Sequence, residues 1–181
     1  MKTKQLKLDG MDQRHKALTP AIAANNKEAA EVCLSRHHLS PLEVTLSDNG
    51  EETPGEVVWS PPGSLTLGAW ANTIDATEAG AYCCVIAGVE AIRGLFAVRR
   101  AETLTGADYY IGPIEAGVND LEDCIRLEVS GVDASDRRDV NKRLLQKVRQ
   151  ARAGKSSLPA VAGVFGFYAK LLMVRDVPEA P

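Results

Sequence analysis

Aromatic side chains are scarce in this chain, with three Phe, four Tyr and two Trp among 181 residues. A surface that grips single strands by stacking base after base on aromatic rings is therefore not expected. No apolar run approaches the ~20 residues that a bilayer-spanning helix needs, so no membrane partner is expected either. The four cysteines, Cys33, Cys83, Cys84 and Cys124, form no CxxC pair, and His15, His37 and His38 stand at no zinc-finger spacing from them. That pattern argues against structural zinc. The basic start Met1-Lys2-Thr3-Lys4-Gln5-Leu6-Lys7 is not followed by an apolar stretch, so no secretory address is evident. Scattered cysteines then read as reduced thiols in a cytoplasmic protein. The formal net charge of −3 is not that of a protein that coats DNA or an acidic membrane, although it leaves room for a local basic strip.

What is present is an ordinary globular composition, 45% hydrophobic and 25% charged. A chain of this length buries about two-thirds of its unfolded surface, so a core forms without disulfide or metal. Residues 1–18 are polar and mixed and read as a loose leader. Thr19-Pro20 looks like a helix start, with Pro at the first helical position. Leu42 to Leu46 alternates like a half-buried strand, Asp48 to Gly55 is a polar turn region, and Val57-Val58-Trp59 is a returning strand. Residues 19–70 are thus expected as a helix and β-hairpin appendage, and residues 71–181 as the main core.

In that core Asp75 to Arg93 has apolar residues at helical spacing, with Asp75 or Thr77 as cap and Gly94 as the closing residue. Three strands follow, Leu95–Thr103, Ala107–Gly112 and Cys124–Ser130. A basic helix spans Asp136–Ala153 and is closed by Gly154. An apolar strand, Leu158–Phe167, comes next, and Ala169–Val174 is expected as a final edge strand. The order helix, three-strand meander, crossover helix, strand predicts an α/β three-layer arrangement.

Three acids fall at meaningful points in this order. Glu78 lies in the first turn of the helix, Asp108 in the second strand, and Glu128 in the third between Leu127 and Val129. A carboxylate flanked by Leu and Val in a strand is uncommon unless it is paired or binds a cation. Alternation places Arg126, Glu128 and Ser130 on one face of that strand. If the second and third strands pair, Asp108 and Glu128 reach the same cleft, an oxygen-rich setting suited to Mg²⁺. The basic helix carries Arg138, Lys142, Arg143, Lys147 and Arg149, candidates for holding the phosphates of a nucleic acid.

The blocks Thr77-Glu78-Ala79-Gly80-Ala81-Tyr82, Thr105-Gly106-Ala107-Asp108-Tyr109-Tyr110 and Arg126-Leu127-Glu128-Val129-Ser130-Gly131 resemble the PD-(D/E)XK, or restriction-endonuclease-like, superfamily. They are also similar to a group of bacterial proteins with the same three blocks. The resemblance implies a restriction-endonuclease-like core, Mg²⁺ held by Glu78, Asp108 and Glu128, and phosphodiester hydrolysis in DNA processing or defence. In the family's pattern a Lys stands two residues after the last acid, and here that position is Ser130. Lys142, Lys147 or Arg126 could supply the missing charge, and Gln146 is placed like a helix Gln of some relatives. A homodimer is implied by resemblance alone.

Plainer readings stand beside these. Asp108 and Glu128 could pair with Arg99, Arg100 or Arg126 in a half-exposed sheet, and Glu78 could be a favourable charge at a helix N-terminus. The basic helix could be a solvated face. Trp59 and Trp70 are expected as packing residues, His37-His38 as a polar helix end, and the cysteines as small core residues. The rival function is a catalytically inactive nuclease-fold scaffold that binds a protein partner, with the appendage as its docking surface.

Overall fold

A computed structural model describes residues 2–178. One mixed eight-stranded sheet organises them, in the order β1-β3-β2-β8-β7-β6-β5-β4. The chain runs β1 (Lys4–Leu6), α1 (Met11–Arg14), α2 (Pro20–His37), β2 (Leu42–Asp48), β3 (Glu51–Val57), α3 (Ser64–Ala69) and α4 (Thr73–Arg93). It continues with β4 (Phe96–Arg100), β5 (Tyr109–Gly112), β6 (Ile125–Val132), α5 (Arg137–Arg152), β7 (Ala160–Gly166) and β8 (Leu171–Asp176). The predicted meander is present: β4, β5 and β6 pair antiparallel, and β7 returns parallel to β6 after α5.

The two faces of the sheet are covered differently. On one side α4 packs its small and branched residues, Ala81, Val85 and Ile86 among them, into one core with Leu127, Val161 and Phe165. Behind it lies α2, brought close by Gly80, where a Cβ would stand 3.0 Å from the Ala30 Cα. On the other side α5 buries Val140 and Leu144 against Ala162, Val164, Leu171 and Met173. All seven residues of β7 are buried, as a strand covered on both faces must be.

Several sequence expectations change. The leader expected over residues 1–18 is not loose where it is described, from residue 2 onward: β1 pairs with β3, and Leu6, Leu8, Met11 and Leu18 join the core. His15 is fully buried, with Nδ1 accepting from the Ala97 N–H at 3.0 Å. Its Nε2 therefore donates to Glu90 Oε2, also at 3.0 Å, and Arg14 Nε donates to the other carboxylate oxygen at 2.8 Å. β8 is not an edge strand but lies between β2 and β7, and so joins the helix–hairpin segment to the rest of the sheet. The turn of that hairpin is tight, at Asn49-Gly50 with positive φ at both, and the strand returns from Glu51 rather than Val57.

Helix boundaries shift for capping reasons. α2 is capped by Thr19 with Pro20 after it, as predicted, and α4 closes at Gly94 in the left-handed conformation, also as predicted. The cap of α4, however, is Asn72, whose side chain accepts from the N–H groups of Ile74 and Asp75. α5 is capped by Asp136 and ends at Ala153 in right-handed geometry, not at Gly154. Trp59 is buried, and the Nε1 groups of Trp59 and Trp70 donate to Ser35 and Glu28 of α2, so both are packing residues.

Candidate functional site

A cavity of about 1030 Å³ opens where the start of α4, the β4–β5 loop, the middle of β6 and one side of α5 meet. Its lining contains Glu78, Asp108, Glu128 and Ser130, together with Arg143 and Lys147. Five carboxylates face it against three cations, the remaining members being Glu102, Asp133 and Arg100.

Glu128 occupies the α5 side of β6, because alternation sends Leu127 and Val129 into the α4 core. It is 4% exposed, and Lys147 Nζ donates to its Oε1 at 2.7 Å. Lys147 is in turn held by Gln150 at 3.2 Å. Burial pushes the Glu128 carboxyl above the usual range, Lys147 pulls it down, and the neighbouring Asp108 charge pushes it up again, with a net rise. Two residues along, Ser130 Oγ accepts from Arg143 Nε at 2.8 Å. Ser130 is thus covered by a guanidinium from α5, and Glu128, two residues before it, by an ammonium from the same helix.

Asp108 lies one residue before β5 rather than inside a strand, but its backbone still joins the sheet by donating to the Leu127 carbonyl. Its Oδ1 accepts from the Tyr82 hydroxyl at 2.9 Å and from Arg100 at 3.4 Å, and its Oδ2 accepts from the Val129 N–H at 2.8 Å. The Arg100 guanidinium stands 4.7 Å and 4.6 Å from the ring centres of Tyr82 and Tyr109. Burial works against that charge, but the hydrogen bond to Tyr82 and the two tyrosines outweigh it and hold Arg100 firmly protonated. Burial likewise pushes the Tyr82 hydroxyl upward, so it remains a donor.

Other candidates fall elsewhere. Arg126 turns from the acids and donates to the carbonyls of Leu158, Thr105 and Ala151, and Arg99 pairs with Glu102. Of the three arginines weighed as plain partners for the acids, Arg100 alone reaches one of them. Gln146 is outside the lining and accepts from Arg143 at 3.4 Å, whereas Gln150, one turn on, lines the cavity. Arg138, Lys142 and Arg149 are exposed on the outer side of α5 and form no ion pair among the described residues. Glu78 is exposed at the cavity wall and likewise forms none. Among the described residues no group of three or more His, Cys, Asp or Glu side chains converges closely enough to hold a metal ion. Glu78 therefore shares the cavity with Asp108 and Glu128 without joining them at one point.

Sequence reasoning missed Tyr82, Asp133 and Gln150, and named Arg100 as one of three possible partners of the acids. Tyr82 was within reach, standing four residues after Glu78 on the same helical face. Asp133 receives Arg36 at 3.5 Å and His37 at 3.1 Å, so His37 is no mere polar helix end but ties α2 to the end of β6. Compared with protein-family models, with curated proteins and with solved structures, the chain matches none.

Proposed function

We propose that this protein is a Mg²⁺-dependent nuclease, or a nuclease-like nucleic-acid-binding protein, built on a restriction-endonuclease-like core. The observation that carries the reading is the Lys147 ammonium 2.7 Å from Glu128. Ser130 removes the positive charge that the family's pattern places after the last acid, and α5 returns it from another element. Asp108 and Glu128 are hard oxygen donors on one wall, and Mg²⁺ commonly uses one or two carboxylates while keeping water and phosphate ligands. Those two residues fit the ion; Glu78 would act through water or the substrate. When bound, Mg²⁺ supplies charge neutralisation at a phosphodiester and an acidified water. Lys147 orients Glu128 and offers its charge toward a phosphate, and Arg143 adds a second cation beside Ser130. The excess of carboxylates in the lining makes a bridging cation a requirement for any phosphate that enters. DNA processing or defence against foreign DNA is the role such a protein would serve, in the cytoplasm and with a homodimer as a working form.

The test is calorimetric titration with Mg²⁺ or Mn²⁺ on wild type and Asp108→Ala/Glu128→Ala, with plasmid nicking measured on the same samples and on Lys147→Ala. Metal binding lost in the double variant, and nicking reduced about a hundredfold or more in Lys147→Ala with metal binding retained, are expected. A folded wild type that binds no metal at millimolar concentration would sink the nuclease reading. A second reading then takes its place, a nuclease-fold scaffold for a protein partner. Its supporting observation is that Asp108 is already engaged on both oxygens by Tyr82, Arg100 and the Val129 N–H.

A further inference from the structure

Two large apolar side chains stand in the open at the cavity. Leu104, in the β4–β5 loop, is 71% exposed, and Ile74, in the first turn of α4, is 76% exposed, and both belong to the lining. Leu104 is held in the left-handed region with φ of 71°, a conformation that a leucine adopts only at a cost. The loop is not free to relax it. Gly106 and Gly154 meet backbone to backbone, a Cβ on Gly154 standing 2.1 Å from the Thr105 carbonyl oxygen. Arg126 donates to that same oxygen at 2.6 Å, and the Lys155 N–H to the Leu104 carbonyl at 3.0 Å. A strained backbone is thus braced from two sides to present an unburied leucine.

We infer that the cavity receives an unpaired nucleotide, whose base packs on Leu104 and Ile74 while the flanking phosphates follow α5. The inference rests on the nucleic-acid reading above and narrows its substrate to single-stranded or frayed ends. Charge decides between occupants. Arg138, Lys142 and Arg149 recur at helical spacing along the exposed outer side of α5, while Arg143, on the row with Lys147 and Gln150 that faces the cavity, forms no ion pair among the described residues. An apolar rim on a cavity that also holds an unpaired guanidinium, with a cationic stripe on the outer side of the same helix, matches a ligand with apolar faces on an anionic backbone. In a duplex the base faces are stacked on one another and hidden; in an unpaired nucleotide they are available to the rim. The volume is that of a pocket for a ligand of nucleotide size. Aliphatic contacts here stand in for the aromatic platform that the composition lacks.

The test is fluorescence anisotropy with a short labelled single strand and the blunt duplex of the same sequence. The proteins are wild type, Leu104→Asn, Ile74→Ser and Arg138→Ala/Lys142→Ala/Arg149→Ala, with Ca²⁺ present. Asn tolerates the left-handed conformation, so Leu104→Asn keeps or raises the melting temperature. Wild type is expected to prefer the single strand. Leu104→Asn and Ile74→Ser each lose roughly tenfold on the single strand with duplex binding unchanged, and the triple variant loses affinity for both. Rim variants that bind the single strand like wild type, while the triple variant weakens both ligands, would overturn the inference and leave the nucleic-acid reading standing. Absence of binding to either ligand by wild type overturns both. A concentration-dependent dimer that Leu104→Asn abolishes would instead assign the rim to a second copy of the chain and overturn the inference.

Discussion

Glu90 is half-buried and Glu128 buried, each has a cation within hydrogen-bond distance, and their acidities move in opposite directions. At Glu90 burial raises the carboxyl, but donors from His15 and Arg14, one on each oxygen, outweigh it and hold the group below its usual range. At Glu128 burial is met by one hydrogen-bond donor, Lys147, on one oxygen, with a smaller pull from the Arg100 charge, while the Asp108 charge works against ionisation, and the group is held above its usual range. Both carboxylates on one atom count are paired. The difference lies in how many lone pairs the fold satisfies. Glu90 is closed off as a latch that ties the N-terminal residues to α4; Glu128 has a donor on Oε1 alone, on a cavity where another acid competes for positive charge.

The comparison can be broken most severely at the latch. Glu90→Ala leaves Arg14 and the fully buried His15 without their acceptor, and is expected to cost about 2–4 kcal/mol in urea unfolding, through the penalty for orphaned buried donors. Lys147→Met comes next, at about 1–3 kcal/mol at neutral pH, because it strands the Glu128 charge. That loss has a definite pH dependence. A carboxyl whose folded pKa is raised is stabilising below its unfolded value and turns against the fold as pH rises through the folded value. Removing Lys147 raises Glu128 further, so the deficit should be small at acid pH and grow toward neutrality. Glu90 has the opposite sign: its stabilisation is present above the unfolded pKa and disappears as pH falls through the folded one. Glu90→Gln should therefore flatten the acid limb of stability against pH, whereas Lys147→Met should steepen the decline on the neutral side; identical profiles for the two variants would erase the contrast.

Smaller effects sharpen the same point. Glu128→Gln keeps the shape and the hydrogen-bonding of the amide oxygen while removing a charge that the site ionises reluctantly. Its melting temperature should match or slightly exceed that of wild type, a shift under about 1 kcal/mol. A functional site commonly holds such a group against the interest of stability. Arg138→Ala, Lys142→Ala and Arg149→Ala, on the exposed face of α5, should each stay within about 0.5 kcal/mol. Larger losses would mean that this face is structural.

Much of the architecture was legible from residue types. The meander and the crossover helix follow from alternation and helical spacing that local sequence carries, and Gly94 and Thr19-Pro20 end and begin helices for reasons internal to a few residues. Leu6, Leu8 and Met11 sit among polar neighbours with no period, so their burial depended on a strand, β3, some fifty residues away, and could not be read. β8 was misplaced to the edge for the same reason, since nothing local says that β2 will pair with it. At the site, Glu128 announced itself as a charge between Leu127 and Val129. Lys147 was one of three cations open to choice, and the choice turned on helix phase: Val140, Leu144 and Ala151 face the sheet, which brings Lys147 round to the cavity and leaves Lys142 outside.

The amino-acid sequence by itself determined the long helices α2, α4 and α5 and the strands of the meander and β7, which face of β6 carries charge, and that a serine stands two residues after Glu128. Those are consequences of side-chain size, polarity and spacing over a few residues. Only the tertiary structure decided that Lys147 meets Glu128, that Arg100 rather than Arg99 or Arg126 reaches Asp108, and that Leu104 is held open at the cavity. Each of these depends on the packing of one element against another and on backbone contacts as close as that of Gly106 with Gly154, to which local preferences are blind.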